Sequence, residues 1–114
     1  MTTDKTGAPT EVTAEADRFT IAVDGQTAGF TEFVDRETDS GTQRIFPHTE
    51  VDEAFGGRGL ATILVREALE ATRAEGLRIV PVCSLVAAFV EKNHEFDDIV
   101  DPVTTDVKRV LSKR

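Results

Sequence analysis

The chain has 114 residues and a formal charge of −8, from 13 Lys and Arg against 21 Asp and Glu, with 39% hydrophobic and 30% charged residues. That length supports one core and not two, and the acidic balance excludes broad nucleic-acid binding, which needs a cationic field. A single cysteine excludes an intramolecular disulfide. With no secretory leader and no run of ~18 apolar residues, the expectation is a cytoplasmic protein with no membrane partner.

Residues 1–17 are rich in Thr, Ala, Asp and Glu without apolar periodicity and read as a disordered tail. Arg18 to Val23 alternates polar and apolar, Asp24-Gly25 is a hairpin turn, and Gln26 to Val34 continues through Ala28, Phe30 and Phe33. Asp35 to Gly41 reads as a charged loop. A third strand lies within Thr42 to Val51, with Arg44, Phe46, His48 and Glu50 on one face and Ile45, Pro47, Thr49 and Val51 on the other. Pro47 inside it marks an edge or a bulge, because proline offers no ladder donor. Three strands in succession make an antiparallel meander.

Leu60 to Glu75 carries Leu60, Ala61, Leu64, Val65, Ala68 and Leu69 on one helical face, with Arg66, Glu67, Glu70 and Arg73 opposite and Gly76 at the stop. Leu77 to Val82 is apolar apart from Arg78, the pattern of a strand covered on both faces. Strand, crossover helix and strand then pair in parallel with a right-handed connection. Ser84 caps a second helix to about Asn93, with Leu85, Ala88 and Phe89 toward the core. His94 to Val100 closes with a short strand, and residues 101–114 form a tail or short amphipathic helix with Lys108, Arg109, Lys113 and Arg114. The fold class is α+β: a mixed sheet whose meander leads into a β-α-β crossover and a second helix, the domain spanning residues 18–100.

Chemistry concentrates in Phe55-Gly56-Gly57-Arg58-Gly59-Leu60-Ala61, which opens the first helix. Glycines admit a ligand close to the main chain, and the first amides of a helix are unpaired at the positive end of its dipole, which suits phosphate. A dinucleotide fingerprint needs a glycine where Thr62 stands, and a Walker loop needs Gly-Lys-Ser/Thr. Both are missing. The pyrophosphate turn of acetyltransferases, Gln/Arg-x-x-Gly-x-Gly/Ala, fits Gly59-Leu60-Ala61 and departs at Gly56; a turn with glycines for packing alone is the other reading.

The segment His48-Thr49-Glu50-Val51, this turn, Gly76-Leu77-Arg78-Ile79-Val80-Pro81-Val82-Cys83-Ser84 and Asn93-His94-Glu95-Phe96 follow one another at tight spacing. Together, over about Arg18 to Val100, they resemble the minimal single-domain branch of the GNAT-like (Gcn5-related) N-acetyltransferases. The resemblance implies a small fold that binds acetyl-CoA, its strands splayed so that the pantetheine arm inserts between them, with an open acceptor groove. It implies pyrophosphate contacts from Gly56, Gly57, Arg58, Gly59, Leu60, Ala61 and Thr62, main-chain pairing of pantetheine with Thr49 and Val51, and further cofactor contacts from Ser84 and Asn93. Asn93 has a second reading, closure of its helix.

Cys83 ends the buried strand, where a cysteine of the resembled family lies near the thioester; it is either a nucleophile, through an acyl-cysteine, or a small buried hydrophobe. His48 is either a general base that deprotonates the amine or orients Cys83, or a strand histidine bonded to a neighbour. Glu50 shares its face and either relays a proton or is simply solvated, and His94 reads as a structural helix-end residue. A zinc site from Cys83, His48 and His94 lacks ligand-pair spacing. The expected function is acetyl transfer from acetyl-CoA to an amine acceptor, which the acidic charge tilts toward a lysine-rich peptide or polyamine; the alternative is a non-catalytic CoA-binding module.

Overall fold

The computed structural model describes residues 2–3, 6–56 and 59–113. Among these, β1 (Thr2–Thr3), β2 (Pro9–Ala14), β3 (Arg18–Val23), β4 (Gln26–Glu32) and β7 (Thr49–Val51) form one antiparallel sheet in that order. A smaller sheet holds β5 (Val34–Thr38), β6 (Gly41–Phe46) and β8 (Arg78–Pro81), antiparallel between β5 and β6 and parallel between β6 and β8. Helix α1 (Leu60–Ala74) lies between β7 and β8 in the chain, α2 (Ser84–Lys92) follows β8, and α3 (Thr105–Ser112) comes last.

The turn between β3 and β4 is the one its Asp-Gly pair dictates, with φ of 50° at Asp24 and 82° at Gly25, both in the left-handed region that a two-residue hairpin needs. The second hairpin is long and broken at matched points. Its first arm bends at Phe33 between β4 and β5, and its second at Pro47-His48 between β6 and β7, where the Glu32 amide donates to the His48 carbonyl at 2.9 Å. Pro47 has no N–H to give to a ladder, so the break falls where the proline stands. Each half of the hairpin joins a different sheet. β8 accompanies β6 only as far as Phe46 opposite Pro81; the Cys83 amide then donates to the Phe46 carbonyl at 2.8 Å, and the chain turns into α2.

The core lies between α1 and the sheets. Leu60, Leu64, Val65, Ala68 and Leu69 form the buried stripe of α1 that the sequence spacing anticipates, packed with Phe19, Ile21, Val23, Phe46 and Ile79. The opposite face of the small sheet is closed by α3, whose buried Val107 packs with Ile45 and Val80. β4 and β7 approach so closely that a Cβ on Gly29 would lie 2.5 Å from the Glu50 carbonyl oxygen, which only glycine avoids.

Several expectations are corrected. Pro9–Ala14, read as part of a disordered tail, is a strand, because the open edge of β3 supplies ladder partners from Val23 to Phe19 that local composition does not reveal. Val34–Thr38, read largely as loop, is strand β5 paired along β6. The expected third strand is two, β6 and β7, and Arg44, Ile45 and Phe46 are all buried because β6 is covered on both faces. Ser84 does not cap α2: Cys83 holds that position without a side-chain hydrogen bond and Ser84 is the first helical residue. The buried face of α2 is accordingly Val86, Phe89 and Val90, while Leu85 and Ala88 are exposed. His94–Ile99 is a 3₁₀ helix rather than a strand, leaving one bridge between Ile79 and Val100. Its carboxylates hold it there: Arg66 pairs with Glu95 and Arg73 with Asp98, and the Arg73 hydrogen bond keeps Asp98 below the usual carboxylate range.

Arg44 was not singled out by the sequence and is a buried guanidinium with two carboxylate partners. It lies 4.0 Å from the Phe33 ring centroid, bonds Asp35 through Nε (2.9 Å) and Nη2 (3.0 Å), and reaches Glu75 through Nη1 (2.8 Å). Burial works to lower its pKa, and the hydrogen bonds and charges of Asp35 and Glu75 more than offset that, so the net shift is upward. The guanidinium thereby ties β6 to β5 and to the C-terminal end of α1.

Candidate active site

Gly59 is the N-cap of α1, with φ 76° and ψ 19°; among the described residues no side chain caps the helix, and no acidic residue stands in its first turn. The Ile63 amide takes the Gly59 carbonyl at 3.3 Å, so the amides of Leu60, Ala61 and Thr62 precede the intrahelical ladder. These residues, Gly56 and Val51 line a cavity of about 320 Å³ together with Asp52, Glu53 and Phe55. The Asp52 carboxylate is occupied in accepting from the Ala54 amide at 2.9 Å. Gly57 and Arg58, named in the sequence reading, lie outside the described residues.

β7 borders this cavity with a free edge. Ladder bonds to β4 run through the Asp52 amide (to Ala28, 2.6 Å) and the His48 carbonyl (from Glu32, 2.9 Å), which makes Phe30 and Glu50 the hydrogen-bonded pair between them. Antiparallel pairing alternates, so the amides and carbonyls of Thr49 and Val51 point the other way. Among the described residues no strand lies on that side. The opening between β7 and the end of β8 therefore presents an unsatisfied strand edge leading to an uncapped helix N-terminus.

Across the opening, Cys83 is 9% exposed, and its thiol donates to Thr49 Oγ1 at 3.3 Å. Thr49 is hydrogen-bonded in turn to Thr31 at 2.8 Å, both hydroxyls buried, so a line of polar side chains joins the large sheet to the end of the small one. Thr31 was not anticipated; its only sequence signal is a polar residue at an inward position of β4. His48 has partners of its own. It is 50% exposed, its Nε2 lies 3.0 Å from Glu50 Oε1, and its ring packs against Phe30 with centroids 6.0 Å apart. Cys83 thus pairs with Thr49 and His48 with Glu50, rather than the two with each other. Ser84 is exposed in the first turn of α2. The Asn93 amide is engaged at both ends, accepting from Arg66 at 3.1 Å and donating to the Phe89 carbonyl at 3.0 Å. His94 bonds Asp97 at 3.0 Å on the surface.

Two further cavities adjoin. One, of about 260 Å³, runs between α1 and α2 and shares Ala61 and Thr62 with the first. The other, of about 540 Å³, is walled by Thr27 to Phe30 and by Glu50, Val51, Asp52 and Glu53.

A strand, a crossover helix with an uncapped first turn and a second strand thus frame one opening. Residues 18–99 match the family described as GCN5-related N-acetyl-transferase, and the chain belongs to that family, whose enzymes move an acetyl group from acetyl-CoA to an amine. Among solved structures it resembles a GCN5-like protein from Staphylococcus aureus, with a TM-score of 0.60 at 20% identity over 83% of this chain and 91% of that one. It also resembles an aminoglycoside acetyltransferase from an uncultured soil metagenomic sample, in complex with sisomicin (TM-score 0.56, 13% identity, 68% of this chain and 57% of that one). A third likeness is to a ribosomal-protein-alanine N-acetyltransferase from Brucella melitensis biovar Abortus 2308 (TM-score 0.52, 15% identity, 87% and 62%). The chain thus spans less than two thirds of the length of the latter two. No curated protein matches it in sequence. Among the described residues no helix is long and apolar enough to cross a membrane.

Proposed function

We propose that this chain acetylates a polycationic amine, a lysine-rich peptide or a polyamine, with acetyl-CoA as donor. The observation that carries the reading is the continuity of the free edge of β7 with the uncapped N-terminus of α1 around one cavity. Acetyl-CoA suits that shape: its pantetheine amides pair with the main chain of Thr49 and Val51, as an added strand would, and its pyrophosphate takes the first-turn amides from Gly59 to Thr62. Gly57 and Arg58 belong to the same turn. The thioester then reaches the level of Cys83 and Thr49.

The amine is the nucleophile in this reading. His48, exposed and held by Glu50, removes its proton as it attacks the thioester carbonyl, and CoA leaves as the thiol. Cys83 bonds a neutral hydroxyl and no base among the described residues, which favours this direct route over an acyl-cysteine. The acceptor class follows from the cavity beside His48: Glu50, Asp52 and Glu53 line it with Phe30, on a chain of net charge −8. A cytoplasmic setting goes with this reading, since a lone thiol stays reduced there.

The test is acetyl-CoA consumption with a panel of a polyamine, a lysine-rich peptide and a small monoamine. The polycations are expected to turn over at least about tenfold more efficiently than the monoamine, with the preference falling as salt is raised. CoA binding without acetyl transfer to any amine would instead define a non-catalytic CoA-binding module.

A further inference from the structure

An aromatic ring stands on the outward face of the large sheet, beside the proposed base. Phe19, Ile21 and Val23 of β3 are buried in the core, so Arg18 and Thr20 lie on the other face. Phe30 of β4 is opposite Thr20 on one side and opposite Glu50 of β7 on the other, which puts it on that outward face. Its ring centroid is 6.0 Å from that of His48, and the Arg18 guanidinium carbon lies 4.7 Å from it. Phe30 is also the aromatic residue that lines the cavity of about 540 Å³, together with Glu50, the partner of His48.

A guanidinium over an aromatic face marks a seat for a cation, and here one of the chain's own arginines fills it. Arg18 is held there loosely. Its carboxylate contacts, 3.4 Å from Nε to Asp17 and 3.8 Å from Nη2 to Glu32, are longer than a good charged hydrogen bond. An amine that attacks a thioester must be neutral, whereas a second ammonium a few carbons along the same acceptor keeps its charge. Resting on the acceptor reading above, we infer that the Phe30 ring seats this second charge of a polyamine and that Arg18 occupies the seat until the acceptor displaces it. The 6.0 Å between the His48 and Phe30 rings is close to the span of a four-carbon linker between two amines. Once displaced, Arg18 retains Asp17 and Glu32, so the exchange leaves neither cation without a partner. Phe30 is then a specificity-determining residue, and Arg18 sets the concentration at which a polyamine gains entry.

Steady-state kinetics with spermidine, and with butylamine as an acceptor lacking the second charge, test this in single and double variants. Arg18→Gln is expected to lower the KM for spermidine about threefold, with a smaller change for butylamine. Phe30→Leu should raise the spermidine KM about fivefold and cancel the effect of Arg18→Gln in the double variant, while Phe30→Tyr, which keeps the ring, should match the wild type in KM and melting curve. Lys108→Gln, on the exposed side of α3, changes the net charge by the same amount and should leave the spermidine KM alone. An Arg18→Gln effect that persists without the Phe30 ring, or that Lys108→Gln reproduces, would overturn the seat in favour of net charge alone. A spermidine KM that Arg18→Gln raises or does not move would overturn it outright. In each of those cases a wild type that still prefers spermidine keeps the acceptor reading; equal use of spermidine and butylamine removes both.

Discussion

Gly59→Asp is expected to lower CoA affinity by roughly 100-fold or more, about 2.7 kcal/mol at that factor. Gly59 caps α1 with a φ of 76°, so the substituted side chain would stand at the mouth of the first turn, among the amides that the pyrophosphate needs. A carboxylate there can accept those same amides as an N-cap does, and it also repels the phosphates. Gly59→Asn separates the two effects, because it has nearly the same shape without the charge and should lose much less affinity. Asn and Asp are the side chains that tolerate left-handed backbone best, so neither variant should lose more than about 1 kcal/mol of stability. Both effects are read by calorimetry and a melting curve. Wild-type affinity in Gly59→Asp would remove the phosphate assignment.

His48→Ala is the substitution with the largest expected effect on turnover, a fall in kcat of about 100-fold or more with CoA affinity retained. Cys83→Ala is expected to keep most of the rate and to lose about 1 kcal/mol of stability, as a small buried truncation with one hydrogen bond does. The reverse pattern, with an acetyl adduct on Cys83 detected by mass spectrometry, would establish the covalent route instead. Unchanged kinetics in both variants would leave an enzyme working by cofactor positioning alone, and the base assignment would be withdrawn.

What the sequence conveyed about this site was local. The stripe of α1, the Gly76 stop and the Asp24-Gly25 turn are read from residues within a few positions of one another, and each stands where its spacing put it. The errors lie where a distant partner decides. Pro9–Ala14 and Val34–Thr38 are poor in large apolar residues, yet each completes a ladder on a neighbouring edge. The division of one long strand at Pro47 into β6 and β7 creates the opening, and the proline hinted at a bulge without revealing that the halves join different sheets. The buried face of α2 is Val86, Phe89 and Val90, so Leu85 and Ala88, expected in the core, form one wall of the groove beside α1. The link from Cys83 through Thr49 to Thr31 spans three segments of chain and has no sequence spacing to betray it. Arg44 was legible only as a charge; its burial depends on Phe33, Asp35 and Glu75 meeting around it.

The central claim is that CoA lies along the free edge of β7 and ends on the first turn of α1. Backbone amide shifts of isotope-labelled protein, followed while CoA is titrated, test it most directly. The amides of Thr49, Val51, Leu60, Ala61 and Thr62 should show the largest changes, saturating together with one affinity, while those of β5 and α3 stay still. Amides of β7 and the α1 turn that do not move at saturating CoA, or changes centred on β5 and α3, would contradict it.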